Sequence, residues 1–172
     1  MLTLKEYQTR TLDALKVYFR ECQRIGKAST AFYEVTEQVY GTGIPYREVK
    51  ELPGLPYVCL RIPTGGGKTI VACHSIGIAA NDLLHNDCPV VLWLVPSNAI
   101  KEQTINALKD RTHHYRKALE ELIPSVSVLS IQEALYETRP TLATGATVIV
   151  STMQAFRVKA ANGHRVIRAI KP

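Results

Sequence analysis

The stretch Pro63-Thr-Gly-Gly-Gly-Lys-Thr69 sets three glycines directly before a lysine and a threonine. Those residue types in that order suit one task, the holding of a polyphosphate. Backbone N–H groups can ring closely spaced anionic oxygens only where no Cβ blocks their approach, so the ring needs glycine. Lys68 supplies a mobile positive charge for the outer phosphates, and the Thr69 hydroxyl a ligand for the Mg2+ that accompanies them. The match is to the tight form P-T-G-x-G-K-T. The general form G-x-x-x-x-G-K-[ST] asks for glycine at position 62, where this chain has Ile62. The candidate nucleotide-binding residues are therefore Pro63, Thr64, Gly65, Gly66, Gly67, Lys68 and Thr69, with Lys68 and Thr69 in the catalytic roles. ATP or GTP with Mg2+ is the expected ligand.

Such a loop works between a strand and a helix, and the flanking sequence predicts both. Tyr57–Ile62 is rich in β-formers and reads as a strand. Lys68–Leu84 reads as a helix whose N-terminal dipole points at the glycines. Upstream, Leu2–Ile25 has apolar residues at helical spacing and ends at Gly26. Residues 26–56 carry Gly41, Gly43, Pro45, Pro53, Gly54 and Pro56, and read as a loop-rich insert with a short helix within Ala31–Tyr40. Downstream, Pro89–Val95 is apolar on both faces of the pleat, as a central parallel strand would be. Ser97–Arg111 and His113–Leu122 look helical, Ser125–Ser130 and Thr147–Ser151 read as strands, and a helical turn follows from Thr152. Buried strands alternating with helices give an α/β fold with a mostly parallel sheet. Ligands of such sheets bind at the carboxyl ends of the strands.

Bulk composition narrows the partners. The 172 residues, 46% hydrophobic, suffice for one domain. Val58–Ile62 and Val90–Val95 are the strongly apolar segments, far short of the roughly 20 residues that span a bilayer. The N-terminus MLTLKEYQTR lacks an apolar signal core. No membrane partner and a cytoplasmic location are expected. The net charge is +6, and residues 138–172 hold six basic residues (Arg139, Arg157, Lys159, Arg165, Arg168, Lys171) and no acidic one. A polyanion such as nucleic acid fits that end, as does a solvated tail. Cys22, Cys59, Cys73 and Cys88 form no C-x-x-C pair and read as buried free thiols. His113-His114 lacks partners at metal-ligand spacing. Trp93 reads as core, and Lys109, Arg111, Arg116 and Lys117 as a solvated face.

Four stretches in series carry a family resemblance. PTGGGKT resembles motif I of superfamily 2 helicases and translocases. LKEYQTRTLDAL (Leu4–Leu15) resembles the Tyr-Gln element upstream of it. LVPSNAIKEQ (Leu94–Gln103) resembles motif Ia, and VIVSTMQAFRV (Val148–Val158) resembles motif Ib. The chain is most similar to the N-terminal part of the helicase (Res) subunit of type III restriction enzymes and its DEAD/DEAH-box-like relatives. In those proteins too, an insert separates the Tyr-Gln element from PTGGGKT. The resemblance implies a P-loop, RecA-like motor domain that uses ATP and Mg2+.

It also implies roles for single residues. Gln8 has an amide that can donate and accept, which suits the N6/N7 edge of adenine, with Tyr7 or Arg10 in support. Ser97 and Asn98 follow a strand and can cap the next helix, and such an N-terminus can also grip a nucleic-acid backbone. Ser151 and Thr152 repeat that arrangement, and Gln103 joins them by the resemblance alone. DNA is the favoured nucleic acid.

Hydrolysis needs one carboxylate to hold Mg2+ and another to orient water. The family carries them as Asp-Glu-Ala-His, and this chain has no Asp-Glu pair. The expectation is the N-terminal part of a first RecA-like motor domain, with an incomplete sheet: residues 1–25 as the Tyr-Gln helix, 26–56 as the insert, and 57–172 as the core. It would bind nucleotide without much turnover, and would partner the remaining motor domain and a modification or specificity subunit. Another P-loop enzyme such as a kinase, or a non-catalytic nucleic-acid-binding module, are the rival readings.

Overall fold

The computed structural model describes residues 3–138 and 143–156. The chain forms two compact units, Met1–Asn86 and Asp87–Pro172. The first is helical around the glycine loop, and the second holds the sheet.

In the first unit, α1 (Glu6–Ile25) buries Leu12, Leu15, Phe19 and Cys22, a stripe at i, i+3, i+7 and i+10. Each large apolar side chain so buried contributes about 1.5–3 kcal/mol. Gly26, at φ 72°, takes the left-handed position that stops the helix. Next, α2 (Ala28–Tyr40) packs Ala28, Ala31 and Val35 into the same core and ends on Gly41 at φ 74°. The helix within the insert is therefore longer than the sequence suggested. The stretch after it is tied down locally. The Tyr46 hydroxyl donates to Leu55 O (2.8 Å) and accepts from Tyr57 N (2.7 Å), while its ring lies 5.4 Å from that of Phe32.

The loop leads into α3 (Lys68–Ala79), which packs against α1 and continues as a π-helical turn through Leu84. Asp82 in that turn accepts from Arg20 on α1 at 2.6 Å. The run Tyr57–Ile62 departs from expectation. Its exposure alternates residue by residue, as on a pleat, yet it joins no ladder among the described residues. Composition can favour an extended chain, but a strand also requires a neighbouring backbone in register.

In the second unit, β1 (Val90–Val95), β2 (Val126–Ser130) and β3 (Ala146–Thr152) form a parallel sheet in the order β1-β3-β2. Val90 pairs with Thr147 and Val95 with Thr152, while Val126 pairs with Ala146. The wholly buried β3 is the central strand. The apolar β1, expected at the centre, lies at an edge, with Val90, Leu92 and Leu94 46–53% exposed and Trp93 only half-buried. Both faces of β1 are apolar, but β3 is its one ladder partner among the described residues.

The helices α4 (Asn98–Lys109), α5 (His114–Glu120) and the short α6 (Ile131–Ala134) also belong to this unit, with Leu108 and Leu119 fully buried. Arg116 corrects the expectation of a solvated basic face. It is buried, and its guanidinium donates to Glu120 Oε1 (2.8 Å), Leu108 O (3.2 Å) and Val126 O (2.7 Å). The fork therefore links α4, α5 and β2. Charge pattern along a helix does not reveal that neighbouring carbonyls lie within reach of one arginine. The cysteines also differ from expectation, since Cys22 and Cys73 are buried, Cys88 is half-buried and Cys59 is exposed.

Candidate functional site

The three glycines are needed for two reasons. Gly65 and Gly67 hold φ 76° and 79°, in the left-handed region that costs other residues energy. Gly66 has an ordinary φ, but a Cβ there would lie 2.7 Å from Ile62 Cγ2 and 2.9 Å from Pro63 O. The position that departs from the longer motif thus has a structural part, because Ile62 fills the space beneath Gly66. Gly66 N donates to Pro63 O at 3.0 Å and closes the turn. Gly67 is the N-cap of α3, so the loop opens directly onto the N–H groups of the helix's first turn.

Lys68 folds back over the loop. Its Nζ donates to Ile62 O (3.1 Å) and Pro63 O (3.0 Å), holding an exposed ammonium beside the glycines. A phosphate would offer that ammonium stronger, charge-assisted acceptors than two carbonyls do. Thr69 is the second residue of α3 and is half-buried. Pro63 and Thr64 are exposed on the approach to the glycines.

The start of α1 reaches this loop. Gln8 is buried, its Oε1 accepts from Lys5 N (2.8 Å), and its Nε2 donates to Gly66 O (2.9 Å). The Tyr7 hydroxyl donates to the same Gly66 O, also at 2.9 Å. A glutamine amide has two donor hydrogens and two acceptor lone pairs, so these two bonds use half its capacity. Arg10 is engaged elsewhere, in an exposed ion pair with Glu6 at 2.5 Å. Sequence reasoning brought Gln8 to the site but missed the hold of Tyr7 and Gln8 on one loop carbonyl. Two adjacent polar residues at a helix start were the available signal.

Within the second unit, the register Val95↔Thr152 sets the carboxyl ends of β1 and β3 side by side. Gln154, in the 3-10 turn Met153–Phe156, donates to Pro96 O at 3.1 Å and ties the two ends together. Ser97 is the exposed N-cap of α4 and accepts from Ile100 N at 3.4 Å. Asn98 opens the helix and Gln103 lies further along it, both exposed. Ser151 and Thr152 differ from these three. They are the last two residues of β3, and both are buried, with Ser151 Oγ 3.5 Å from Thr152 O. Arg157, Lys159, Arg165, Arg168, Lys171 and Arg139 lie outside the described residues.

A glycine cradle at a helix N-terminus, with a lysine beside it and a parallel sheet in the chain, defines a P-loop, RecA-like α/β protein. The sequence comparison then gives the family. A family model for the Res subunit of type III restriction enzymes matches residues 1–167, and the chain belongs to that family. The family is one of helicase-like ATPases, which implies the use of a nucleotide and Mg2+. No curated protein and no solved structure matches the chain. Among the described residues no helix is long and apolar enough to cross a membrane.

Proposed function

We propose that this chain is the ATP-binding part of a superfamily 2 motor that acts on nucleic acid, with double-stranded DNA as the substrate. The observation that carries the reading is the Lys68 ammonium held beside three glycines, each of which a Cβ would strain or obstruct. Gly65 and Gly67 would leave backbone N–H groups open to the phosphates, while the Gly66 N–H closes the turn on Pro63 O, with Pro63 and Thr64 flanking them. Lys68 would exchange its two carbonyls for phosphate oxygens, and Thr69 would ligate Mg2+. When bound, Mg2+ would neutralise charge developing on the phosphates. The unused half of the Gln8 amide would read the adenine edge.

Nucleic acid would meet the paired strand ends of the second unit. Ser97 and Asn98 offer exposed polar groups there, at the N-terminus of a 12-residue helix, and Gln103 a further one along it. Ser151 and Thr152 would act through the backbone at the end of β3, because their side chains are buried. The motor would act in the cytoplasm with a second motor domain and a modification or specificity subunit.

The test is duplex DNA binding against salt concentration, with and without a non-hydrolysable ATP analogue. The reading predicts binding that weakens with salt, changes with nucleotide, and loses that nucleotide response in Lys68→Ala. DNA binding indifferent to both nucleotide and Lys68→Ala would favour a simple binding module. No DNA affinity, with tight binding of a small phosphate acceptor, would favour a kinase.

A further inference from the structure

Gly66 O accepts two hydrogen bonds from side chains far away in sequence, Tyr7 Oη and Gln8 Nε2, both at 2.9 Å. Both donors sit in the first turn of α1, and Gln8 is itself fixed by Lys5 N. The amide of Gln8 also lies close above Gly67, where a Cβ would come within 2.4 Å of Nε2. The first turn of α1 therefore grips the crown of the loop at one peptide unit, Gly66–Gly67.

In a trans peptide the carbonyl and the following N–H point in opposite directions. Fixing Gly66 O towards α1 consequently fixes Gly67 N–H away from it. We propose that Tyr7 is a positioning residue for phosphate binding. Its hydroxyl, with the Gln8 amide, sets this peptide so that Gly67 N–H faces an incoming phosphate. Glycine at φ 79° tolerates other backbone orientations, so without the tether that peptide could turn. Preorganising a donor removes an ordering cost from the binding step.

This inference rests on the nucleotide reading of the loop and assigns Tyr7 a role different from support of the adenine base. A base reader acts only on adenine nucleotides. A loop-positioning residue acts on any polyphosphate, with or without a base.

The test compares wild type with Tyr7→Phe, which keeps the ring and removes the hydroxyl. The ligands are Mg·ATP, Mg·GTP and inorganic tripolyphosphate, titrated well below the unfolding midpoint, so that a mere change in stability leaves affinity unmoved. The expected result is a similar loss for all three, about fivefold, the equivalent of one ordinary hydrogen bond of about 1 kcal/mol. A loss confined to ATP, or no loss for any ligand, overturns the inference and leaves the nucleotide reading standing. Failure of the folded wild-type chain to bind any of the three overturns the nucleotide reading, and this inference with it.

Discussion

The sharpest consequence of the loop geometry concerns Gly67→Ala. Alanine at φ 79° costs about 1–2 kcal/mol for the left-handed conformation. Its Cβ would also meet Gln8 Nε2 at 2.4 Å and Ile70 Cγ2 at 3.1 Å. The amide must move, and its bond to Gly66 O is then lost; Gly66 O keeps the Tyr7 hydroxyl, but the buried Gln8 Nε2 is left unpaired at about 1–3 kcal/mol. The sum is a destabilisation of roughly 2–5 kcal/mol. Gly65→Ala supplies the control. It has a similar φ, 76°, with nothing within 4 Å of its Cβ, so the backbone term of about 1–2 kcal/mol stands alone. Urea unfolding followed by far-UV circular dichroism measures both, since α1, α2 and α3 surround the loop's unit. Repeating Gly67→Ala in a Gln8→Ala background should bring its cost down to that of Gly65→Ala. Equal costs for the two glycine variants, or a Gly67→Ala cost unchanged by Gln8→Ala, would refute the packing of Gln8 against Gly67.

Arg116→Ala should destabilise the second unit by about 2–4 kcal/mol in denaturant unfolding, because it strands two backbone carbonyls and Glu120. Arg116→Lys should recover little, since an ammonium lacks the planar fork that reaches all three acceptors. The Glu133 carboxyl is held down from 4.5 to about 2, first by the Ser130 N–H and then by Lys109. Because the folded value is depressed, its contribution is present in full above the ordinary carboxylate range and is lost as pH falls through 4.5 towards 2. Glu133→Gln should flatten stability against pH in that window. Solvent screening of this half-exposed side chain limits the effect to about 1 kcal/mol. With a thiol reagent at neutral pH, exposed Cys59 should react first. Cys73, fully buried and with its thiol pushed up to about 12 by burial, should react only on unfolding.

The loop and the helix after it were legible because glycine, lysine and helix start are local facts, fixed within seven residues. The strands β1 and β3 were legible from short apolar runs, and β2 from its alternation. Their order was not, since pairing depends on which backbone comes alongside, and β1 and Tyr57–Ile62 looked equally strand-like. One pairs with β3, and the other joins no ladder among the described residues. Burial of Arg116 was hidden because its acceptors are carbonyls, which carry no mark in the sequence. Ser151 and Thr152 looked like helix-cap residues, but the strand runs through both before the chain turns at Met153. Gln8 was found through its neighbours in sequence and motif order. Its grip on Gly66, shared with Tyr7, spans 58 residues of chain and only folding brings it about.

The central claim is that the Gly65–Thr69 loop binds nucleotide through Lys68. Calorimetric titration with Mg·ATP and Mg·ADP, with Lys68→Ala in parallel, tests it most directly. The account predicts saturable one-site binding by the wild-type chain. It predicts a loss of roughly 10- to 100-fold in the variant, the worth of one charge-assisted hydrogen-bonding group. Absence of binding by the folded wild-type chain, or binding that Lys68→Ala leaves unchanged, would contradict it.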